Sequence, residues 1–506
     1  MSRSARSIIL RVLAIAAGLT AIAAAWWIFV TPQRTLEVRH ERAGASGTVP
    51  VTIVRDRSAP EDAPAVLVAH GFAASRRIMM GYARELAYAG YTAAVLDFQG
   101  HGANPTPLDR GNDGLQRDLD AVLELLGRAD GVATDERAIV GHSMGSGAAM
   151  QAGIRLPDTF QAVVAISPTD AAVTETLPRN LLLQAGTWEQ RFLANARELL
   201  DEAGGETVSE EAFAAGTARD LFAVGNREHI TILFSGESRE SAVRWLDRAF
   251  EREPVPAGYD DRRPLAALLH VAGWLLLAAG VRPLLRRLVP TGTGRGLHGL
   301  PAVRTRWWWL TLVIAPFLAT GALALLTPAA DLGRLGGLLV GGTIALWFGI
   351  AGAIWLAAGI RLSMPPLRSL LLGAGLFGFL WVSVGPAAHQ TAVEWLLIPY
   401  RLMRWPLASL LAFPWLLAAG YGQAGEGLRA RVGMYLLQTV TVVGGLALAG
   451  ILVPGLFFVV LALPALPVIL AVMAAAGWIL DDPWAYAVGN SLFLGWVLAA
   501  LFPLAA

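Results

Sequence analysis

The chain has 506 residues, 55% hydrophobic and 16% charged, a composition that excludes a disordered chain and leaves room for two or three folding units. Its 40 basic residues, all Arg, and 39 acidic ones leave a net charge of +1, without the clustered basic face that nucleic acid requires. With no cysteine, disulfides, a thiol nucleophile and a thiolate metal site are excluded, and the charge is unevenly spread: 61 charged side chains fall in residues 1–263 and 18 in residues 264–506.

In chain order, Ser7 to Val30 is apolar enough to span a bilayer and follows Arg3 and Arg6, the pattern of a signal anchor. Ala23-Ala24-Ala25 could pass for a cleavage site, but the apolar run continues through Trp26-Trp27-Ile28-Phe29-Val30, longer than the roughly 7–15 residues of a cleavable signal core. From residue 35 strands and helices alternate. Residues 35–42 and 50–55 read as two strands, 63–69 as a buried parallel strand, 79–89 as a helix and 92–96 as the next strand. Leu115 to Leu126 is amphipathic, with Leu115, Leu119, Val122, Leu123 and Leu126 on one face. Strand 137–141, helix 144–155, strands 161–167 and 180–185, helix 190–202, strand 220–224 and helix 238–250 follow, so 31–262 is expected to be an α/β domain with a mostly parallel sheet covered by helices on both faces.

Residues 263–506 are expected to form an all-α polytopic membrane domain with eight apolar spans, at about 264–281, 307–327, 336–360, 367–387, 405–421, 433–452, 455–479 and 484–505. With the N-terminus inside, the short inner connections hold Arg3, Arg6, Arg11, Arg282, Arg286, Arg287, Arg295, Arg304, Arg306, Arg361, Arg368, Arg429 and Arg431. The outer ones hold Arg334, Arg401 and Arg404. Cytoplasmic connections are the richer in Arg, so the pattern predicts an integral protein of a bacterial inner or cell membrane with 31–262 on the extracytoplasmic side. Residues 389–410, with Glu394, Arg401 and Arg404 among aromatic and aliphatic neighbours, read as an amphipathic interfacial segment.

The chemistry concentrates in 31–262. Strand 137–141 runs into Gly141-His142-Ser143-Met144-Gly145 and then a helix, a sharp turn that needs small residues on either side of an exposed serine. A nucleophilic Ser143 needs a base, an acid to orient that base and an oxyanion hole. His229, five residues past the last strand, is better placed to return to the sheet's C-terminal edge than His40, His101 or His142, whose side chain is expected to aim away from the site. Glu189, three residues past Gly186, is the candidate acid and Asp170 the alternative; either could instead be a carboxylate favoured at a helix N-terminus. The amides of Met144 and Phe72, the latter in His70-Gly71-Phe72, are the expected oxyanion donors.

These motifs, together with Asp97-Phe98-Gln99-Gly100-His101-Gly102, resemble the α/β-hydrolase fold serine hydrolases, most closely the esterase, lipase and small-peptidase branches. The resemblance covers about 35–252 and keeps the chain order Ser, acid, His; it departs in using Glu as the acid and in leaving only about a dozen residues after strand 161–167, too few for a helical cap. It implies acyl transfer through Ser143, His229 and Glu189, without a cofactor or metal, on a small-molecule or lipid-like acyl substrate presented near the lipid bilayer. A peptidase, amidase or acyltransferase with the same triad is a second reading. A transporter-like membrane protein with an accessory hydrolase domain is a third; it would draw on intramembrane ionisable residues, of which His270 is the main one, while His389, Glu394, Arg401 and Arg404 read as interfacial.

Overall fold

The computed structural model describes residues 3–31, 34–60, 62–109, 111, 113–128, 136–255, 258–288, 302–328, 331–358, 364–424 and 426–505. Arg295 and Arg361 lie outside them, and the side chains of Arg3, Arg286, Arg287 and Arg304 are not among those described. The chain forms two compact units, one of residues 1–26, 267–387 and 397–502, the other of 27–266, 388–396 and 503–506.

The second unit follows the helix α1 (Arg3–Val30) with β1 (Leu36–Ala43), β2 (Val49–Asp56), β3 (Ala65–Ala69), α2 (Met80–Tyr88), β4 (Thr92–Leu96), α3 (Asp113–Leu126) and β5 (Arg137–His142). It continues through α4 (Met144–Arg155), β6 (Ala162–Ile166), β7 (Leu181–Gly186), α5 (Gln190–Glu202), α6 (Glu210–Ala215), β8 (Arg219–Val224) and α7 (Gly236–Ala249). The eight strands form one sheet in the order β1-β2-β4-β3-β5-β6-β7-β8. β2 is antiparallel to β1 and β4, and all other neighbours are parallel.

Alternation along the buried strands builds two cores. Val66, Val68, Val140, Val164 and Ile166 face one side, against Met79 and Leu86 near α2 and Trp245 and Leu246 of α7. Leu67, Ile139, Val163, Leu181 and Leu183 face the other, against Leu119 of α3, Met150 of α4 and Leu193 of α5. Each such aliphatic side chain contributes about 1.5–3 kcal/mol when fully buried, which holds strand ends and their loops in place. The unit reaches beyond the expected 31–262 because later segments bond to it: Leu504 accepts from the Leu108 amide at 2.9 Å and donates to the Gly100 carbonyl at 2.8 Å.

The other unit contains most of α1 and the helices α8 (Arg263–Leu288), α9 (Ala302–Leu326), α10 (Gly341–Ala357), α11 (Leu367–Thr391), α12 (Pro399–Leu402), α13 (Trp405–Gln423), α14 (Leu428–Leu452), α15 (Val459–Ala462), α16 (Leu466–Leu480) and α17 (Pro483–Leu501). Among the described residues eight helices, α1 included, are long and apolar enough to cross a membrane, which is compatible with an integral membrane protein. The ninth expected span, 336–360, is the 17-residue α10, about 26 Å at 1.5 Å per residue. Left-handed backbone at Gly336 (φ 65°) and Gly337 (φ 73°) separates it from the turn before it. Small residues bring helices together: a Cβ on Gly420 would lie 2.6 Å from the Pro483 carbonyl oxygen, so α13 and α17 approach closely. Four buried tryptophans, Trp308, Trp347, Trp355 and Trp415, fill the space among α9, α10 and α13. His270 is buried with Trp26 and Trp274 edge-on at ring distances of 6.0 and 6.3 Å.

The 389–410 stretch differs from the expected interfacial helix. α11 ends at Thr391, α12 is a single turn, and Glu394 and Arg401 are buried. Burying a charge requires a partner, and each has one: Glu394 pairs with arginines of the sheet-containing unit, and Arg401 donates to the Ala499 and Phe502 carbonyls at 2.7 and 2.9 Å.

Candidate active site

Three loops at the C-terminal edge of the parallel strands carry the predicted residues. Ser143 stands between β5 and α4 at φ 54° and ψ −120°, a conformation that costs a non-glycine residue roughly 1–3 kcal/mol and persists only where the surroundings impose it. The flanking glycines impose it here. A Cβ on Gly141 would collide with the Gly145 carbonyl, and one on Gly145 would lie 2.6 Å from the His70 carbonyl oxygen. The Gly-x-Ser-x-Gly spacing is thus a steric requirement of a turn packed against β3 and its loop. Ser146 Oγ donates to the Ser143 carbonyl at 2.5 Å, holding the turn from inside.

Glu189 and His229 meet. Glu189 Oε2 lies 2.9 Å from His229 Nδ1, and both residues are buried. Glu189 Oε1 accepts from Ser167 Oγ at 2.8 Å and from the Gly186 amide at 2.6 Å. A carboxylate only accepts, so these contacts place the proton of His229 on Nδ1 and leave Nε2 as the basic nitrogen. Although Glu189 is the residue before α5, its side chain makes no capping hydrogen bond, so helix capping does not explain it. Asp170, the alternative acid, is exposed in the loop after β6. The structure brings Glu189, and not Asp170, to His229.

Three participants were not anticipated. Ser167, at the end of β6 with φ 47°, supplies a hydroxyl to Glu189; its position at a strand end was the available signal. Phe192 stacks on the His229 ring at 4.3 Å, and no sequence pattern distinguishes it from the other apolar residues of α5. His142, expected to point away, packs its ring 4.7 Å from that of His229 and bonds through Nε2 to the His229 carbonyl at 2.9 Å. Burial, reinforced by His229, pushes His142 well below the ordinary imidazole range, so it is neutral and donates from Nε2. Of the other candidate bases, His40 contacts Thr52 and His101 the Gln99 carbonyl.

The loop after β3 passes against the serine, because a Cβ on Gly71 would sit 3.0 Å from Ser143 Cβ. Phe72 follows, its ring edge-on to His101 at 5.8 Å. Farther along, Arg76 pairs with the fully buried Asp97, whose Oδ1 also accepts the Arg76 amide at 2.7 Å. Burial alone would raise Asp97, but Arg76, His70 and two backbone amides outweigh it and hold the carboxyl below its usual range. Asp97-Phe98-Gln99-Gly100-His101-Gly102 is therefore a loop brace: Ala103 donates to Asp97 Oδ2 at 2.9 Å and Asn104 to the Asp97 carbonyl at 3.1 Å. Among the described residues no group of His, Asp and Glu suits a metal ion.

Residues 60–217 match the family described as serine aminopeptidase, S33. The sheet-containing unit has the α/β-hydrolase fold. Within this hydrolase domain the chain is similar to an epoxide hydrolase of Caballeronia sordidicola, 33% identical over 104 residues, covering 21% of this chain and 31% of the relative. It is also similar to a monoacylglycerol lipase of Mycolicibacterium smegmatis, 32% identical over 136 residues, 26% of this chain and 46% of the relative. The chain thus spans less than half the length of either curated relative. A solved hormone-sensitive lipase from a metagenome library aligns at 16% identity over 50% of this chain and 99% of its own with a TM-score of 0.33; the fold assignment rests on the strand order and the family match instead.

Proposed function

We propose that the protein is a membrane-anchored serine hydrolase that cleaves carboxylic esters of hydrophobic or lipid-like acyl groups through Ser143, His229 and Glu189. The observation that carries this reading is the 2.9 Å bond between Glu189 and His229, whose carbonyl is bonded by His142, the residue before a serine held at φ 54°. Glu189 orients His229, whose Nε2 takes the Ser143 proton as Oγ attacks the carbonyl carbon. The Met144 and Phe72 amides receive the oxyanion, helped by the N-terminus of α4. His229 then protonates the leaving alcohol, and water, activated by the same nitrogen, releases the acyl-enzyme. Similarity to a monoacylglycerol lipase supports an ester of an acyl chain. A serine aminopeptidase reading draws on the family match over 60–217 and uses the same groups on an amide.

Replacing the nucleophile tests both readings. Ser143→Ala is expected to abolish covalent labelling by a fluorophosphonate and to lower hydrolysis of p-nitrophenyl butyrate by at least about 10³-fold while the protein stays folded by circular dichroism. Labelling that persists in this variant would remove Ser143 from the site. A series of acyl esters and peptide amides then separates esterase from peptidase, since turnover of amides alone would favour the second.

The arginine distribution further supports placing the hydrolase unit on the extracytoplasmic side of a bacterial inner membrane. A single cysteine reports this cleanly in a chain that has none. Gly204 and Gly205 have φ of +90° and +84°, unsuited to a side chain, so the exposed Glu206 is the better position. Glu206→Cys is expected to react with an impermeant maleimide in cells whose inner membrane is intact; reaction only after that membrane is permeabilised would invert the orientation.

A further inference from the structure

The loop that carries Phe72 does not end within the hydrolase sequence's own contacts. Ser75 to Ile78 form a turn between that loop and α2, and this turn is held by residues far away in the chain. Ser75 Oγ donates to the Ala392 carbonyl at 3.1 Å. Arg263 donates to the Arg77 carbonyl at 2.9 Å and is itself paired with Asp261 at 2.7 Å. One oxygen of Glu394, Oε2, takes Arg76 Nη2 at 2.9 Å and Arg77 Nε at 3.2 Å, while Oε1 faces His389 Nδ1 at 3.3 Å. These residues all belong to the hydrolase unit, although 388–396 is separated from the turn by more than three hundred residues.

Charge makes Glu394 more than an extra contact. Arg76 and Arg77 bring two positive charges to a turn whose near carboxylate, Asp97, already accepts the Arg76 amide, the Arg76 side chain and the Ala103 amide. Glu394 supplies the second negative charge, with its side chain only 7% exposed. Its loss leaves a poorly hydrated cation adjoining the backbone that runs back to Phe72, and a turn in that condition shifts to hydrate the charge. Oxyanion donors tolerate little displacement, because their value depends on lying at hydrogen-bond distance from an oxygen that becomes charged only in the transition state.

We propose that Glu394 is a positioning residue for the oxyanion loop, acting through Arg76 and Arg77 to hold Phe72 where Ser143 needs it. This rests on the serine hydrolase reading above. Its signature is a loss confined to the transition state: Glu394→Gln in the full-length protein is expected to lower kcat for p-nitrophenyl butyrate on the order of 10- to 100-fold, with KM within about twofold. Affinity for butylboronic acid, which forms a tetrahedral adduct with the serine, should fall in proportion. Arg77→Gln breaks the same pair from the other side and should reproduce the split, and the double variant should be no worse than Glu394→Gln alone. Rates are referred to the number of sites titrated to completion by fluorophosphonate, so unfolded protein does not count. A wild-type kcat per titrated site in Glu394→Gln, or a change in KM alone, overturns the proposal while leaving the triad intact. Absence of Ser143-dependent turnover in the parent protein overturns the hydrolase reading and this one with it.

Discussion

The two sides of the candidate site are assembled differently. On the side of β5, β7 and β8, the side-chain hydrogen-bond and ring partners of the Glu189–His229 pair among the described residues come from residues 142–229, within one stretch of alternating strands and helices. On the side of β3 and β4, the loops are braced partly by residues from other regions: Ala392 and Glu394 hold the 75–77 turn, and Leu504 pairs with Gly100 and Leu108. The first side is a self-contained set of hydrogen bonds, the acid–base relay of the mechanism proposed above. The second, where an oxyanion would be received, depends on parts of the chain that compositional reading assigns to a membrane domain. In the proposed mechanism, proton transfer and charge stabilisation would thus draw on separate sets of contacts.

The strongest challenge to the self-contained side is to exchange its acid. Glu189→Gln keeps the shape but removes the charge that fixes the His229 tautomer, and is expected to lower kcat by about 10²- to 10⁴-fold, whereas Asp170→Asn, on an exposed loop, should stay within about twofold. The opposite ranking in ester turnover would transfer the acid to Asp170 and break the account of this side. A milder change sharpens it. Ser167→Ala removes one of the two donors to Glu189 Oε1 and leaves the Gly186 amide, so kcat should fall by roughly 5- to 20-fold, equivalent to about 1–2 kcal/mol for a hydrogen bond to a charged group. An effect as large as that of Glu189→Gln would mean that Ser167 does more than orient the carboxylate.

The legibility of the molecule follows the same division. Ser143, Glu189 and His229 can be found from the sequence because each sits within six residues of a strand end, and strand ends are marked by apolar runs that stop at glycine or at polar residues. The sheet was legible for the same reason, with boundaries displaced by a residue or two. His142 was misread because its partner, the His229 carbonyl, lies 87 residues away in the sequence, and only the three-dimensional return of the loop after β8 brings the two rings together. Glu394 was unreadable for a different reason. Its neighbours, Trp395, Leu396 and Leu397, suggest an interface with lipid, and only the three-dimensional return of 388–396 to Arg76 and Arg77 shows a buried ion pair. The expected span 336–360 begins too early because hydropathy counts Gly336 and Gly337 as tolerable in a span, whereas their positive φ, and that of Val340, keep the helix from starting before Gly341.

The hydrolase unit is made of three pieces of chain, 27–266, 388–396 and 503–506. A cut at a single point in the chain does not separate it whole. A fragment cut at residue 262, where the charged composition ends, would lose Arg263, Ala392, Glu394 and Leu504 together, while keeping the serine, the acid and the histidine. Splitting such a gene, or grafting residues 27–262 onto another anchor, would preserve Ser143, Glu189 and His229 and discard the residues that brace the 75–77 turn and the loop after β4.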